Sequence, residues 1–566
     1  MIRIWLLILI STASALAQQG AAEQTVRPQD LCVLEGVVLA QDTGEPLRKA
    51  TVMLRNAGER GGRAGGGPLG RLEQFGGRGR TRPIVARTDE NGRFRLENIE
   101  PGSYRLFVER GGYVRREYGQ RSLNRPGTVL DLRPGQQVTD LLFRLERAAV
   151  IAGRIYDRDG EPMAGVRVQA NRIAYTRGQP ELVPAGSDST DDRGQYRIFG
   201  LSPGRYFLSA TPGVGPAFAA SLPAENEAYV PTYYPGTIDP TRAIPVEVKA
   251  GDELPGMDMT VEPVEGVRVS GRVQDALSEG PVEGVMVTLL PAQGLGRGFA
   301  FSLRDAAAAD GSFEIRSVPP GSYSLFAIGM QQGTPRAARL PLQVGTSDIE
   351  NLSLLLLPGA VLQGHVRVEG QENASVEGAR VSLRPRELAF ALGGNNRVGP
   401  DGAFTLTNLL SMTYDVLLTG LPAGYYVKAV RHGSADVLDT GFNPALAPNA
   451  QLEIILSPSG GTVEGLVLDA ESLPMAGVTV VLVPEPNRRH LQRLYHNTVT
   501  DSQGRFSIAG IAPGTYKLFA FDDVEPGIWQ DPQFLLPYED RGTAVTVKEN
   551  TRQSFDLKLI AAGSSR

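Results

Sequence analysis

One cysteine, four histidines and two tryptophans stand in a chain of 566 residues. A lone thiol forms no intrachain disulfide, so an exported fold must rest on core burial alone. So few His and Cys leave little material for a zinc cage, and Cys32, beside Val33, reads as a small buried hydrophobe. Cations are not in surplus either. Lys and Arg number 57 against 62 Asp and Glu, a net charge of −5 with an isoelectric point near 5.7, which removes the electrostatic footprint of a dedicated nucleic-acid binder. No apolar run in the body of the chain reaches the ~20 residues a bilayer-spanning helix needs. Leu352–Leu357 is strand-length and runs into Pro358-Gly359. Helical hydrophobic periodicity is missing throughout.

Glycine (67) and proline (40) are plentiful, above ordinary usage but without a collagen period. The length allows three to five domains at roughly 100–200 residues each, and self-similarity selects five. Each unit opens on a short apolar strand with a glycine two residues before Val or Ile: Gly36, Gly153, Gly271, Gly364 and Gly465, at intervals of 117, 118, 93 and 101 residues. A second alternating strand follows (Arg48–Leu54, Ala164–Val168, Glu283–Leu289, Glu377–Leu383, Ala476–Leu482). After an insertion of variable length comes a hairpin signal, Thr88-Asp89-Glu90-Asn91-Gly92-Arg93-Phe94 in the first unit and Thr500-Asp501-Ser502-Gln503-Gly504-Arg505-Phe506 in the fifth. Asp binds its own backbone there and Gly accepts positive φ. Then stands Pro-Gly-X-Tyr, ending at Tyr104, Tyr206, Tyr323 and Tyr516; the fourth unit breaks it with Ser411-Met412-Thr413-Tyr414. A phenol at that corner can bury its ring and bond backbone through its hydroxyl. Closing strands end the units: Thr139–Leu145, Met257–Val261, Leu352–Leu357, Leu452–Leu456 and Ser554–Ile560.

Short alternating runs with turn signals every ten or so residues predict an all-β chain of five tandem β-sandwiches. Met1–Ala17 has the layout of a secretory signal, with Arg3, the apolar Ile4–Ile10 and a small-residue cleavage site at Ala15-Leu16-Ala17. The expected layout is a signal at 1–17 and a linker at 18–30. Sandwiches follow at 31–147, 148–264, 265–358, 359–458 and 459–561, with a tail at 562–566. The first carries a Gly/Arg-rich insertion, 57–83. Short joins such as Glu262–Gly266 favour a semi-rigid string. The mature chain is expected to be exported, to the periplasm, cell surface or medium, with no transmembrane segment.

The succession Gly-X-Val, Gly-Val-X-Val, Thr-Asp-X-X-Gly-X-Phe and Pro-Gly-X-Tyr-X-Leu resembles the carboxypeptidase regulatory-like domain family. The resemblance implies a seven-stranded, transthyretin-like (prealbumin- or Ig-like) sandwich, grouped with carbohydrate-binding folds and found in large exported bacterial proteins. It also raises the question of a zinc carboxypeptidase. That chemistry needs two His and a Glu around zinc, two of them close in sequence. None of the four histidines is followed by X-X-Glu, and no catalytic domain is left unassigned.

Other chemistry is thin. The insertion carries six Arg (60, 63, 71, 78, 80, 82) against Glu59 and Glu73; it reads as a flexible polar insertion rather than a nucleic-acid arm, with attraction to anionic envelope polymers as a variant. Asp89, Asp191, Asp310, Asp401 and Asp501 read as turn closers rather than calcium ligands, since calcium wants six to eight oxygens. His490 and His496 share what reads as a solvated loop. No Gly-X-Ser-X-Gly and no phosphate loop occur.

The loops do carry aromatics. Phe75, Tyr175, Phe299 and Phe301, Phe390, and Tyr495 recur in the insertion before the hairpin. Tyr113 and Tyr118, then Tyr229, Tyr233 and Tyr234, Tyr425 and Tyr426, and finally Trp529 and Tyr538 follow the Tyr strand. Such rings could stack on sugars or anchor a partner; equally, they could fold back over open sheet edges or fill seams between units, as the neighbouring Pro231, Pro235 and Pro537 suggest. The candidate ligand-binding set is Tyr175, Tyr229, Tyr233, Tyr234, Phe299, Phe301, Phe390, Tyr495, Trp529 and Tyr538. No catalytic residue, metal ligand or cofactor is assigned. The expectation is a non-enzymatic binding protein for glycan at the cell envelope; the alternatives are a scaffold for an envelope protein and an unrecognised hydrolase.

Overall fold

A computed structural model describes residues 27–57, 83–120, 127–176, 179–212, 227–277, 284–291, 303–331, 334–371, 376, 378–386, 395–522 and 524–561. The expected signal and most of the expected linker, nearly all of the Gly/Arg-rich segment 57–83, and Phe75, Phe299, Phe301 and Phe390 lie outside the described residues.

The chain is all-β, in paired layers. In the first repeat the opening strand Cys32–Ala40 is central to a three-stranded sheet. It runs antiparallel to the hairpin strand Arg93–Ile99 and parallel to the closing strand Gln137–Leu145. The facing sheet pairs Thr51–Asn56 with Ile84–Arg87 on one side and Gly102–Glu109 on the other. The fifth repeat has the same plan: Gly461–Leu468 lies between Arg505–Ile511 and Arg552–Lys558, facing the sheet of His496–Val499, Thr479–Pro484, Gly514–Phe521 and Thr543–Val547. Alternation builds these strands, since every second residue of Cys32–Ala40 is buried. Inward residues such as Leu34, Val38, Leu106 and Phe143 make the first core, with Cys32 fully buried among them.

Two repeats modify the plan. In the third, the long strands Thr334–Val344 and Ile349–Pro358 pair with each other and join both layers into one seven-stranded sheet. In the fourth, Tyr414–Thr419 stops at Gly420, which sits at φ 77°. The chain crosses over there, and Tyr426–His432 pairs with the closing strand Leu452–Ser457 in the opposite layer.

The signature residues have physical tasks. At Gly36, Gly153, Gly271, Gly364 and Gly465 an added Cβ would come within 3.0 Å of the closing segment's backbone. The parallel strand passes directly over the glycine, and only a hydrogen fits beneath it. Each hairpin strand then bulges at a left-handed residue, Asn98, Gly200, Ser317, Asn408 or Gly510; all but Ser317 are the Gly or Asn that positive φ favours. At three joins a glycine nests against that bulge: Gly266 on Ser317, Gly359 on Asn408 and Gly460 on Gly510. The corner tyrosines bond back four residues, Tyr206 to the Ser202 carbonyl at 2.6 Å, Tyr323 to Pro319 at 2.9 Å and Tyr516 to Ala512 at 2.8 Å. In the fourth repeat the bond reverses, and the Leu410 amide donates to Tyr414 Oη at 3.0 Å. The buried hairpin threonines tie the turn to the second strand: Thr190 Oγ1 accepts from Val166 N at 2.9 Å and donates to the Met163 carbonyl at 2.6 Å.

The repeats also touch one another. Phe326 of the third repeat is buried in the core of the fourth. Tyr426 donates to Glu549 at 3.0 Å across the next join, and Arg493 of the fifth repeat bonds Asp439 of the fourth. The glycine under the closing strand is testable. Gly36→Ala should cost about 1–3 kcal/mol through overpacking; hydrogen exchange should lose protection in Cys32–Ala40 while Gly461–Leu468 keeps its own.

Candidate functional site

Four of the ten candidate residues converge on one place. The outward face of the fifth repeat's second sheet carries Val481, Val483, Phe519 and Phe521, which the segment 524–541 covers. Asp531 caps the short helix Pro532–Leu535 by accepting from Gln533 N at 2.9 Å, which seats Leu535 fully buried. Trp529 is 7% exposed in this layer. Tyr538 meets Phe521 edge-on at 5.5 Å and Phe534 at 5.3 Å. Tyr495 packs there too, and so does Tyr175, which arrives from the second repeat. A Cβ on Gly527 would run into the Tyr175 carbonyl. These rings plug a sheet face and a seam between repeats.

In the second repeat Tyr233 is 8% exposed, and Tyr229 and Tyr234 pack partly buried against that repeat's core. Burial this deep leaves Trp529 and Tyr233 no free face for a sugar. The apolar sheet face beneath each ring has to be covered, and the ring is what covers it. Phe299, Phe301 and Phe390 lie outside the described residues.

The titratable groups are structural. Asp89 Oδ1 accepts from Asn91 N at 2.9 Å and Arg93 N at 2.8 Å, and Asp191 and Asp501 repeat the pattern, so these carboxylates are spent closing turns. His496 does not sit in a solvated loop: it opens the strand His496–Val499, opposite Leu482, and burial pushes its pKa down to about 4. His432 packs on Phe442 at 4.7 Å, and burial lowers it as well. Among the described residues no three His, Cys, Asp or Glu gather as a metal site.

A cleft of about 470 Å³ opens elsewhere, between the first and fifth repeats. One wall holds Gln41, Tyr118, Gln120, Thr128, Leu142 and Arg144; the hairpin turn Thr500–Ser502 and Ala476-Gly477 form the other. Tyr118 is braced by Phe143, ring centroids 6.3 Å apart at 61°. Its amide donates to the Leu106 carbonyl at 2.9 Å, and its carbonyl accepts from Thr128 N at 2.7 Å. Arg116 is fixed by Glu146 at 3.3 Å and the Gln120 carbonyl at 3.1 Å. Arg144 is exposed at the rim. Sequence reasoning recognised Tyr118 only as a loop aromatic, because its partner wall lies some 380 residues away in the chain.

Residues 33–146 and 462–558 match the profile of the carboxypeptidase regulatory-like domain. These two segments are the first and the last repeat, and together they cover less than half of the chain. No curated protein matches the sequence. Among solved structures the chain is similar to the minor pilin GBS52 of Streptococcus agalactiae, at 15% identity over 41% of this chain and 96% of that one, TM-score 0.22. It is also similar to the major pilin BcpA of Bacillus cereus, at 12% identity over 73% and 99%, TM-score 0.15. The Bacillus anthracis TIE protein shares 14% identity over 58% of this chain, TM-score 0.16, and the chain spans about half (51%) of its length. At such TM-scores no property of those proteins transfers to this chain.

Two outcomes follow from the buried groups. Trp529→Ala should cost the fifth repeat about 3–5 kcal/mol, read as lost exchange protection in Gly514–Phe521 under native conditions. His496 is neutral in the folded state down to about pH 4 but protonates near 6.5 when unfolded. The unfolded state therefore binds more protons between those values, and stability falls as pH drops through that window. His496→Gln should flatten the acid limb of the stability curve between pH 6.5 and 4.

Proposed function

We propose that the chain is an exported, non-enzymatic binding protein made of five sandwich units, at 31–147, 148–264, 265–358, 359–458 and 459–561, and that it takes a glycan in the cleft between the first and fifth. The cleft carries the proposal. Its volume of about 470 Å³ falls in the usual small-ligand range of about 300–1,000 Å³. A braced tyrosine lies among Gln41, Gln120, Thr128, Arg144 and Ser502, which pairs one apolar ring with several hydrogen-bonding groups, the mixture a sugar's two kinds of surface require. The loop aromatics of the second and fifth repeats serve as plugs that hold the walls in place.

A protein scaffold is the second reading, and one observation favours it. Met286, Ile328 and Leu357 form a cross-strand row with Ala337 on the outside of the third repeat, each of the three 40–50% exposed. A contiguous apolar patch of this kind marks interaction sites.

A glycan array on the purified chain separates the two. Tyr118→Ala should weaken binding of any hit roughly five- to hundredfold, taking the ~1–3 kcal/mol of one stacking ring; the ring also packs on the first core, so a modest drop in melting temperature is expected and binding is compared where both proteins are folded. A blank array would transfer the assignment to the scaffold reading.

A further inference from the structure

The first repeat has a second face of different chemistry. Thr51, Met53 and Arg55 lie directly opposite Glu109, Phe107 and Arg105 on its second sheet, pointing away from the core that Val52, Leu54, Leu106 and Val108 fill. Two guanidinium groups gather on Phe107: Arg115 at 4.2 Å from the ring centroid and Arg55 at 5.8 Å. Among the described residues neither donates to a carboxylate or a carbonyl. The nearby Glu117 is already taken, held by Arg105 at 2.6 Å and by the Gly127 amide at 2.9 Å. Glu109 is left as the remaining carboxylate of this face. Arg55 stands opposite Arg105 across the ladder, and the Glu117 carboxylate that would face both is bonded to Arg105. Burial and the neighbouring Arg55 charge press the Arg115 pKa down, against the smaller opposing pull of Glu109 and Glu117. The ring and the partial charge compensation from Glu109 and Glu117 leave both guanidinium forks without a hydrogen-bonded carboxylate among the described residues, and an incoming anion would supply one.

The charge of the chain is distributed to match. Residues 31–147 hold seven more Lys and Arg than Asp and Glu, although the whole chain is at −5. Three of the seven remain when 57–83 is left out, so the basic character belongs to the repeat and not to its insertion alone.

The geometry points to a polyanion-binding face on the first repeat, centred on Arg55 and Arg115 over Phe107, whose ligand is a carboxylate-bearing polysaccharide. A guanidinium fork pairs bidentately with a carboxylate. The ring beneath is already covered by guanidinium, so it offers no open platform for a nucleic-acid base. This face is separate from the cleft and stands or falls independently of it.

The test uses the full mature chain with polygalacturonate as the carboxylate polymer, neutral dextran as the uncharged control, and single-stranded DNA. Polygalacturonate should bind with an affinity that falls as salt rises, and dextran should not bind this face. The double variant Arg55→Gln, Arg115→Gln should lose roughly tenfold or more in affinity and about two from the salt slope, with the protein still folded at the assay temperature by circular dichroism. Arg115→Lys should retain part of the binding, and Tyr118→Ala should leave it intact. The inference is overturned if wild type does not bind polygalacturonate, if the double variant binds as wild type does, if deleting 58–82 alone abolishes binding, or if DNA binds more tightly.

Discussion

The closing strand of each repeat runs parallel to the opening strand, and its backbone passes directly over the opening-strand glycine. Everything else in the unit is hung from that crossing. Parallel pairing requires the chain to leave the first sheet, build the second, and return to the first strand's side. In the first repeat Thr51–Asn56, Ile84–Arg87 and Gly102–Glu109 form the facing layer, while the hairpin strand Arg93–Ile99 returns to the opening strand's other edge. The bulge at Asn98, Gly200, Ser317, Asn408 or Gly510 shifts the register on the opposite edge, with one further pair beyond it, and the corner tyrosine pins the chain where it turns into the facing sheet. Remove the close approach, and the closing strand has no seat.

Without disulfides, a string of small sandwiches must solve a second problem, the outward face of each facing sheet. Small domains bury a modest fraction of their surface, and extra apolar area has to be covered locally. The fifth repeat does so with 524–541 and a ring from the second repeat. The third lends Phe326 to the fourth. Aromatic residues on long loops are well suited to the task, because each covers much area with few rotatable bonds. Stability and inter-repeat geometry become one property here: the rings that complete a core also fix how two repeats sit together. A cleft between the first and fifth repeats can then have stable walls although nothing covalent joins them beyond the chain.

Charge is handled in the same local manner. Carboxylates in the hairpins serve backbone amides, and several arginines, Arg95, Arg147 and Arg552 among them, find an acid partner at the surface, where such pairs add little. On the first repeat Arg55 and Arg115 share one aromatic ring, and Glu109 and Glu117 act on Arg115 through charge without a hydrogen bond among the described residues.

The all-β class, the repeat and the role of its signature residues were legible in the sequence because they are local. An alternating strand, an Asp-Gly turn and a tyrosine that bonds four residues back need only their neighbours. Even the glycine is visible as a spacing, though its reason, the strand overhead, is a contact across about a hundred residues. What only the tertiary structure decided is where the loops go. Trp529, Tyr175 and Tyr495 look alike in sequence to rings that would face solvent; their burial depends on an uncovered sheet face and on a repeat more than 300 residues distant. His496 is likewise a strand residue because Leu482 stands opposite it. Tyr118 becomes part of a cleft only because the fifth repeat's hairpin turn is brought alongside it. Local sequence sets φ, ψ and side-chain direction, whereas burial is a property of what arrives from elsewhere in the chain.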